Sequence, residues 1–278
     1  MASSRALLTT ATALLGAAGV DSARVDAELL LAHSLGVKRS RLMLVDTVPT
    51  EAEAVFAKAL ARRVLREPLQ YILGRAPFRN LDVLVGPGVF IPRPETELLV
   101  DAVLPALRAV VSPVVVDLCA GTGALALAIA DEVPGTRGYA VERSAAALEW
   151  LRRNTAGTTV QVVAADVRDP ALLVELRSSV DAVVCNPPYV PRDQSVEPEV
   201  RADPDEAVFA GPDGLALMPA VAARAAQLLR AGGVLAVEHD DTQGESMPAL
   251  LSQLDCWGEI RAHLDLAGRP RYVSAVRH

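Results

Sequence analysis

The chain has 278 residues, 51% of them hydrophobic and 22% charged, with a formal net charge of −7. That length allows about two domains, and the apolar content excludes a disordered chain. The acidic balance argues against a general grip on nucleic acid. Three widely spaced cysteines, Cys119, Cys185 and Cys256, form neither a zinc spacing nor a disulfide framework; they fit a reducing, cytoplasmic compartment, and no metal site is expected. With aromatics at 4%, Ala, Val and Leu must build the core.

Met1 to Val20 is apolar and carries Arg5, but Thr9, Thr10 and Thr12 break the run. An amphipathic first helix is expected there rather than a secretory signal, and no stretch is long enough to span a bilayer. Asp21 or Ser22 can cap a second helix in which Val25, Leu29 and Ala32 share a face. Thr50, Glu51 and Glu53 open a third, with Phe56, Leu60 and Val64 at helical spacing beside Val55 and Ala59. Residues 1–75 thus read as a small all-helical domain with no chemistry of its own, suited to docking a partner. His33 within it is read as structural.

Gln70-Tyr71-Ile72-Leu73-Gly74 is followed by alternating Phe78, Leu81, Val83 and Val85, then Val89-Phe90-Ile91. With Gly86-Pro87-Gly88 as the turn, this predicts a β-hairpin linker over 76–92. Ile91-Pro92-Arg93-Pro94-Glu95-Thr96-Glu97 is a stiff loop entering a helix, where Pro94 and the acids suit the N-terminus. Arg93 and Glu95 stand at the start of the third segment, 93–278, and are candidate substrate-loop residues.

From Val114 the pattern alternates strand and helix, which predicts an α/β domain with a mostly parallel sheet covered on both faces. Val114-Val115-Val116-Asp117-Leu118 is a buried strand that runs into Cys119-Ala120-Gly121-Thr122-Gly123 and a helix. Such a turn lets backbone approach a nucleotide and presents helix N-terminal amides. The next strand ends at Glu142, placed to accept hydrogen bonds from ribose hydroxyls. Ser144 is expected to cap the helix after it. A third strand ends near Asp166 and a fourth at Asn186. Polar groups at successive strand ends define one rim of the sheet, where open α/β sheets bind ligands.

Asn186-Pro187-Pro188-Tyr189 ends the fourth strand abruptly, because proline cannot donate to a ladder and restricts the residue before it. The motif suits a planar nitrogen: the Asn186 oxygen and the Pro187 carbonyl can each accept an N–H, and Tyr189 can pack on the flat group. The acceptors open at this point are adenine or cytosine in DNA, guanine in RNA, or a glutamine side chain. The cofactor is open as well, since Gly121-Thr122-Gly123-Ala124-Leu125-Ala126 also matches a dinucleotide fingerprint. Asp117 before the turn and the Asn-Pro-Pro-Tyr run speak against hydride transfer, which needs neither.

Asp117-x-x-x-Gly121-x-Gly123, Glu142, Asp166 and Asn186 to Tyr189 together resemble the class I methyltransferases. That resemblance implies a Rossmann-like fold with a mostly parallel seven-stranded sheet, and S-adenosylmethionine as cofactor with S-adenosylhomocysteine as product. It implies that Asp117, Cys119, Ala120, Gly121, Thr122 and Gly123 surround the methionine part, Glu142 takes the ribose, and Asp166 and Val167 flank adenine, with Asn186 beside the methyl. Cys119 and Ala120 stand where glycine is frequent. Adding the helical N-terminal domain, Gln70 to Gly74, Phe90 to Glu97, Asp213-Gly214-Leu215 and Gly232-Gly233 before Glu238-His239, the chain resembles the release-factor glutamine methyltransferases over nearly its whole length. This implies a monomeric enzyme that methylates the glutamine of the Gly-Gly-Gln loop in bacterial class I release factors, with no membrane or nucleic-acid partner. The alternative is N-methylation of an exocyclic amine in DNA or RNA. Two stretches are expected to be peripheral: Glu238 to Asp241 as a solvated acidic loop, and 192–212 as a lid or long loop.

Overall fold

A computed structural model describes residues 2–278. They divide into two compact units: one runs to Arg75 and includes Val196–Ala202, the other comprises Ala76–Ser195 and Asp203–His278.

The first unit opens with a short strand, β1 (Ala2–Ser3), and two helices, α1 (Ser4–Ala17) and α2 (Ala23–Leu35). β2 (Thr47–Val48) pairs with β1, and α3 (Thr50–Val64) and α4 (Leu69–Leu73) follow. Ala11, Leu15, Ala27, Leu30, Leu31 and Phe56 form its core. Three expectations are corrected here. The buried face of α2 is Ala23, Ala27, Leu30 and Leu31 rather than Val25 and Leu29, and it includes Asp26. An acid can sit there because Arg63 donates to it at 2.8 Å, also from a buried position. Gln70 to Leu73, read with the extended segment, is helical; Pro68 precedes it and Gly74 at φ +73 ends it. Ser22 occupies the N-cap of α2, but its hydroxyl donates to Asp26 Oδ1 instead of capping.

Residues 196–202 belong to this unit rather than lying free. Glu199 accepts from Arg63 at 2.8 Å and from Arg66 at 2.6 Å. Burial raises its carboxyl, but the two guanidiniums outweigh that and bring it down to about 2.

The second unit begins with a hairpin of β3 (Arg75–Phe78) and β4 (Leu81–Leu84). The hairpin exists, but its turn is Arg79-Asn80, not Gly86-Pro87-Gly88. Arg79 adopts φ +53, and its guanidinium grips Glu132 at 2.6 and 2.7 Å. Gly86 is needed for another reason: a Cβ there would lie 2.4 Å from the Trp150 ring.

Then come α5 (Glu97–Leu107), β5 (Val114–Leu118), α6 (Ala124–Glu132), β6 (Arg137–Glu142), α7 (Ala145–Thr155), β7 (Gln161–Ala164) and β8 (Val180–Cys185). After α8 (Asp205–Val208) follow α9 (Met218–Leu228), β9 (Leu229–Glu238), α10 (Ser246–Ser252), β10 (Trp257–Leu264) and β11 (Pro270–Arg277). The seven-stranded sheet has the order β10-β11-β9-β8-β5-β6-β7. β11 is antiparallel to both its neighbours, and the remaining pairs are parallel.

Strand parity divides the core. Val116, Leu118, Val183, Cys185, Leu235 and Val237 pack on one face with α9 and α10. Val115, Ala182, Val184 and Ala236 pack on the other with α5 and α6. Side chains alternate at a period of 2, so Asp117, Asn186 and Glu238 continue the α5–α6 series. Each face is a closely packed layer of Val, Leu and Ala, as a sheet buried on both sides requires.

Candidate active site

Chain order reverses at the β5/β8 pair: β6 and β7 lie to one side, β9 to the other. The crevice at the carboxyl ends of such a switch point is the expected ligand site. Leu118 is paired with Cys185 and Cys185 with Val237, so the turn after β5, the Asn-Pro-Pro-Tyr segment and Glu238 leave the sheet at one level.

The turn after β5 contains three left-handed residues in five: Cys119 at φ +63, Gly121 at φ +54 and Gly123 at φ +84. Cys119 has the conformation glycine adopts without strain, a cost of order 1–3 kcal/mol for a residue with a Cβ. Gly123 also has no room for a side chain, because a Cβ would meet Leu151 Cδ1 at 2.6 Å. Gly121 is different: its nearest obstacle is Val89 Cγ2 at 4.0 Å, so its backbone faces open space. Ala120 and Thr122 are buried, and the Thr122 carbonyl accepts from Asn154.

Asp117 lies beneath this turn, 1% exposed, where Oδ2 accepts from the Ala126 amide at 3.3 Å. It ties β5 to the first turn of α6. Burial, with Glu142 nearby adding to it, pushes its carboxyl up to about 8. An acid whose pKa is higher folded than unfolded holds its proton more tightly in the native state. Its stabilising contribution is therefore present at low pH and is lost as pH rises from about 4 to about 8. Between about pH 5 and 8.5 the wild type should lose more thermal stability than Asp117→Asn, whose amide does not titrate. Parallel melting curves for the two proteins would refute this.

Glu142 at the end of β6 is buried and receives three backbone amides: Gly121 at 2.9 Å on Oε2, and Arg143 and Ser144 at 2.7 Å on Oε1. Ser144 stands at the N-cap of α7, but its hydroxyl makes no cap; the Glu142 carboxylate takes its amide instead. The carboxylate thus joins the glycine turn to the start of α7. It keeps lone pairs to spare, since an ionised carboxylate has about four acceptor sites. Asp166 is held by Arg168 at 2.6 Å, the main reason its carboxyl lies well below the usual range. Val167 is buried in the core layer beside α9.

Asn186 donates from Nδ2 to Thr96 Oγ1 at 3.0 Å. Pro187 is buried, and Pro188 and Tyr189 are half-buried. The Tyr189 hydroxyl donates to Glu238 Oε1 at 2.8 Å, and burial pushes the phenol well above its ordinary pKa. The expectation of a solvated loop at 238–241 is therefore corrected. Glu238, His239 and Asp240 are buried, at 1%, 0% and 7% exposure, and only Asp241 faces solvent. β9 carries them under the rim, and Asp240 forms a capping box with Gln243.

Gln243 completes the frame: Nε2 donates to the Tyr189 carbonyl at 3.0 Å and to the Asp213 carbonyl at 2.9 Å. Gly214, at φ +74, makes this approach possible, since a Cβ would fall 1.9 Å from the Tyr189 carbonyl oxygen. Gly214→Ala should lower the thermal midpoint by roughly 4–10 °C and depress turnover, because strain of about 1–3 kcal/mol sits directly on this segment. An unchanged melting curve would refute the assignment. The following residues are tied by Val190, whose amide donates to the Val208 carbonyl and whose carbonyl accepts from the Ala210 amide, both at 3.0 Å.

Arg93 does not stand free as a substrate contact: it pairs with buried Asp203 and lies over the Phe90 ring at 5.0 Å. Asp203 also accepts the Ile91 amide at 3.2 Å, so the Pro-rich loop is braced from within its own unit. Glu95 is exposed. Sequence reading missed Thr96, Glu238 and Gln243. The Asp-x-x-Gln spacing of a capping box was the available signal for Gln243; parity along β9 was the signal for Glu238. Among the described residues no cluster of His, Cys, Asp and Glu could hold a metal ion, and no helix is long and apolar enough to cross a membrane.

Residues 6–74 match the PrmC N-terminal domain model, and residues 80–202 match the methyltransferase small domain model. The release factor glutamine methyltransferase of Mycolicibacterium smegmatis is 52% identical over 274 residues, covering 98% of this chain and 97% of the relative. That of Streptomyces coelicolor is 48% identical over 271 residues, 95% of each chain. Among solved structures, the Thermus thermophilus 16S rRNA N2 G1207 methyltransferase, in complex with AdoMet and guanosine, superposes with a TM-score of 0.53 at 25% identity, over 73% of this chain and 50% of that one. With relatives this similar over nearly their full length, the chain belongs to the release factor glutamine methyltransferase family.

Proposed function

We propose that this protein transfers a methyl group from S-adenosylmethionine to the side-chain amide nitrogen of the glutamine in the Gly-Gly-Gln loop of bacterial class I release factors. The observation that carries the reading is the Asn186 amide: one N–H of its NH2 donates to Thr96, which orients the amide with its oxygen away from Thr96, where it can accept an N–H. The names of the relatives support glutamine as the acceptor.

The cradle fits the cofactor. Gly121 offers open backbone, and Glu142 is locked in place with lone pairs unspent at the position where a ribose would lie. Asp166 ends the pocket on the β7 side. When bound, the cofactor supplies an electrophilic methyl on a sulfonium. What the chain contributes is placement. An amide nitrogen is a weak nucleophile because its lone pair is delocalised. Hydrogen bonds from its N–H groups to Asn186 Oδ1 and the Pro187 carbonyl would aim it and offset the positive charge that develops on it. The nitrogen becomes acidic only as the new bond forms, so no strong general base is required. The reading places the enzyme in the cytoplasm and assigns release-factor docking to the helical unit.

A second reading, N-methylation of an exocyclic amine in RNA or DNA, has one observation in its favour: the superposed Thermus enzyme is named for N2 of a guanine. The test is incubation with radiolabelled cofactor and, separately, release factor, its Gly-Gly-Gln Gln→Ala variant, RNA and DNA. Label on wild-type release factor alone is expected. Label on nucleic acid and none on release factor would overturn the proposal.

A further inference from the structure

The geometry points to Thr96 and Glu238 as positioning residues that set which end of the Asn186 amide faces the methyl acceptor, an inference that rests on the acceptor reading above. The two ends of an asparagine amide are nearly identical in shape, so its orientation is decided by hydrogen bonds alone. Here the deciding partner is Thr96, buried at the entry to α5, whose oxygen accepts from Asn186 Nδ2 at 3.0 Å. Thr96 has one hydroxyl proton. The buried Glu238 carboxylate lies close to it, and its Oε2, which has no hydrogen-bond partner, is the acceptor that would draw this proton away from Asn186.

With that proton turned away, Thr96 shows Asn186 only lone pairs. It accepts an NH2 and repels an amide oxygen, so Oδ1 is driven to the open side. The Glu238 carboxylate also takes the Tyr189 hydroxyl at 2.8 Å. One carboxylate therefore governs both ends of the Asn-Pro-Pro-Tyr segment, directly at Tyr189 and through Thr96 at Asn186. Parity explains the convergence: Asn186 and Glu238 continue the strand faces that pack on α5, and Thr96 is the residue just before that helix.

Three variants test this: Thr96→Val, which keeps the shape but loses the hydroxyl; Thr96→Ser, which keeps the hydroxyl; and Glu238→Gln. The Gln side chain can donate to Thr96, turn the threonine proton toward Asn186 and favour the flipped amide. Thr96→Val and Glu238→Gln should lower kcat by roughly ten- to a hundred-fold, the scale of a small misplacement of a reacting group, with KM for release factor and cofactor Kd within about three-fold. Thr96→Ser should recover kcat to within about three-fold of wild type. Retained kcat in Thr96→Val, equal damage in Thr96→Ser, or a loss confined to binding would overturn the inference. A second readout is independent of turnover: in 15N-labelled protein the Asn186 side-chain amide protons should exchange with solvent faster in Thr96→Val than in wild type. If wild-type protein methylates no release factor, the functional reading fails. The exchange measurement still decides the positioning role, since equal rates would refute it.

Discussion

Asn186→Ala should abolish methyl transfer, by about a thousand-fold or more, while cofactor affinity stays within a few-fold of wild type. The side chain sits just past β8, and one N–H of its amide donates to Thr96. Truncation removes the amide oxygen that, on the proposed function, accepts the substrate N–H. It touches neither Glu142 nor the glycine turn, which hold each other through the 2.9 Å bond from Gly121. Removing a single pre-aimed hydrogen-bonding group from a reacting centre costs on the order of 10²–10³ in kcat elsewhere. Here the same group must also bring a weak nucleophile into line, which adds an orientation term. Labelled methyl transfer and titration calorimetry separate the two effects. A large rise in cofactor Kd with modest loss of turnover would show that Asn186 builds the pocket instead.

Glu142→Ala should do the reverse, raising cofactor Kd by roughly a hundred-fold and lowering the thermal midpoint of the free protein as well. The carboxylate has two tasks. In the proposed function it is the acceptor for a ribose, and in the structure it is the partner of the Gly121, Arg143 and Ser144 amides. Hydrogen bonds to a charged group contribute about 1.5–3 kcal/mol each, and amides left without a partner cost a similar amount if water cannot reach them. Glu142→Gln keeps the shape and one acceptor oxygen, but its NH2 must face backbone donors, so it should fall between wild type and Ala. Wild-type cofactor affinity in Glu142→Ala would sink the ribose assignment. An unchanged midpoint would show that the three amides find water.

The contrast between the two variants follows from where each side chain leaves the sheet. Glu142 ends β6, on the glycine-turn side of the switch point, and Asn186 ends β8 on the other side of β5. On the proposed function one strand end serves the donor of the methyl group and the other its acceptor, so substitutions at the two sites should show separable phenotypes.

Much of this was legible without coordinates. The β-branched run Val114 to Leu118, the glycines after it and the acids at successive strand ends announce a parallel sheet with a ligand rim, because such patterns are local and periodic. Asn-Pro-Pro-Tyr announces a strand stop, since proline has no N–H to give. Positive φ at Gly121 and Gly123 agrees with a tight turn read from composition alone.

Tertiary structure decided what periodicity cannot carry. An acidic run such as Glu238 to Asp241 looks solvated because charge is ordinarily excluded from cores. Only the position of β9 under the rim, with the Tyr189 hydroxyl donating to Glu238, reveals why that acid is buried. Asp26 is the same case in the helical unit, an acid on a buried face that becomes tolerable once Arg63, 37 residues later, arrives to pair with it. The hairpin turn moved from the glycines to Arg79-Asn80 because a grip on Glu132 holds Arg79 at positive φ, while Gly86 was required by the Trp150 ring. In each case the sequence determined the residue type and the local backbone. The partner that gives the residue its role came from a distant strand or helix, and only folding brings the two together.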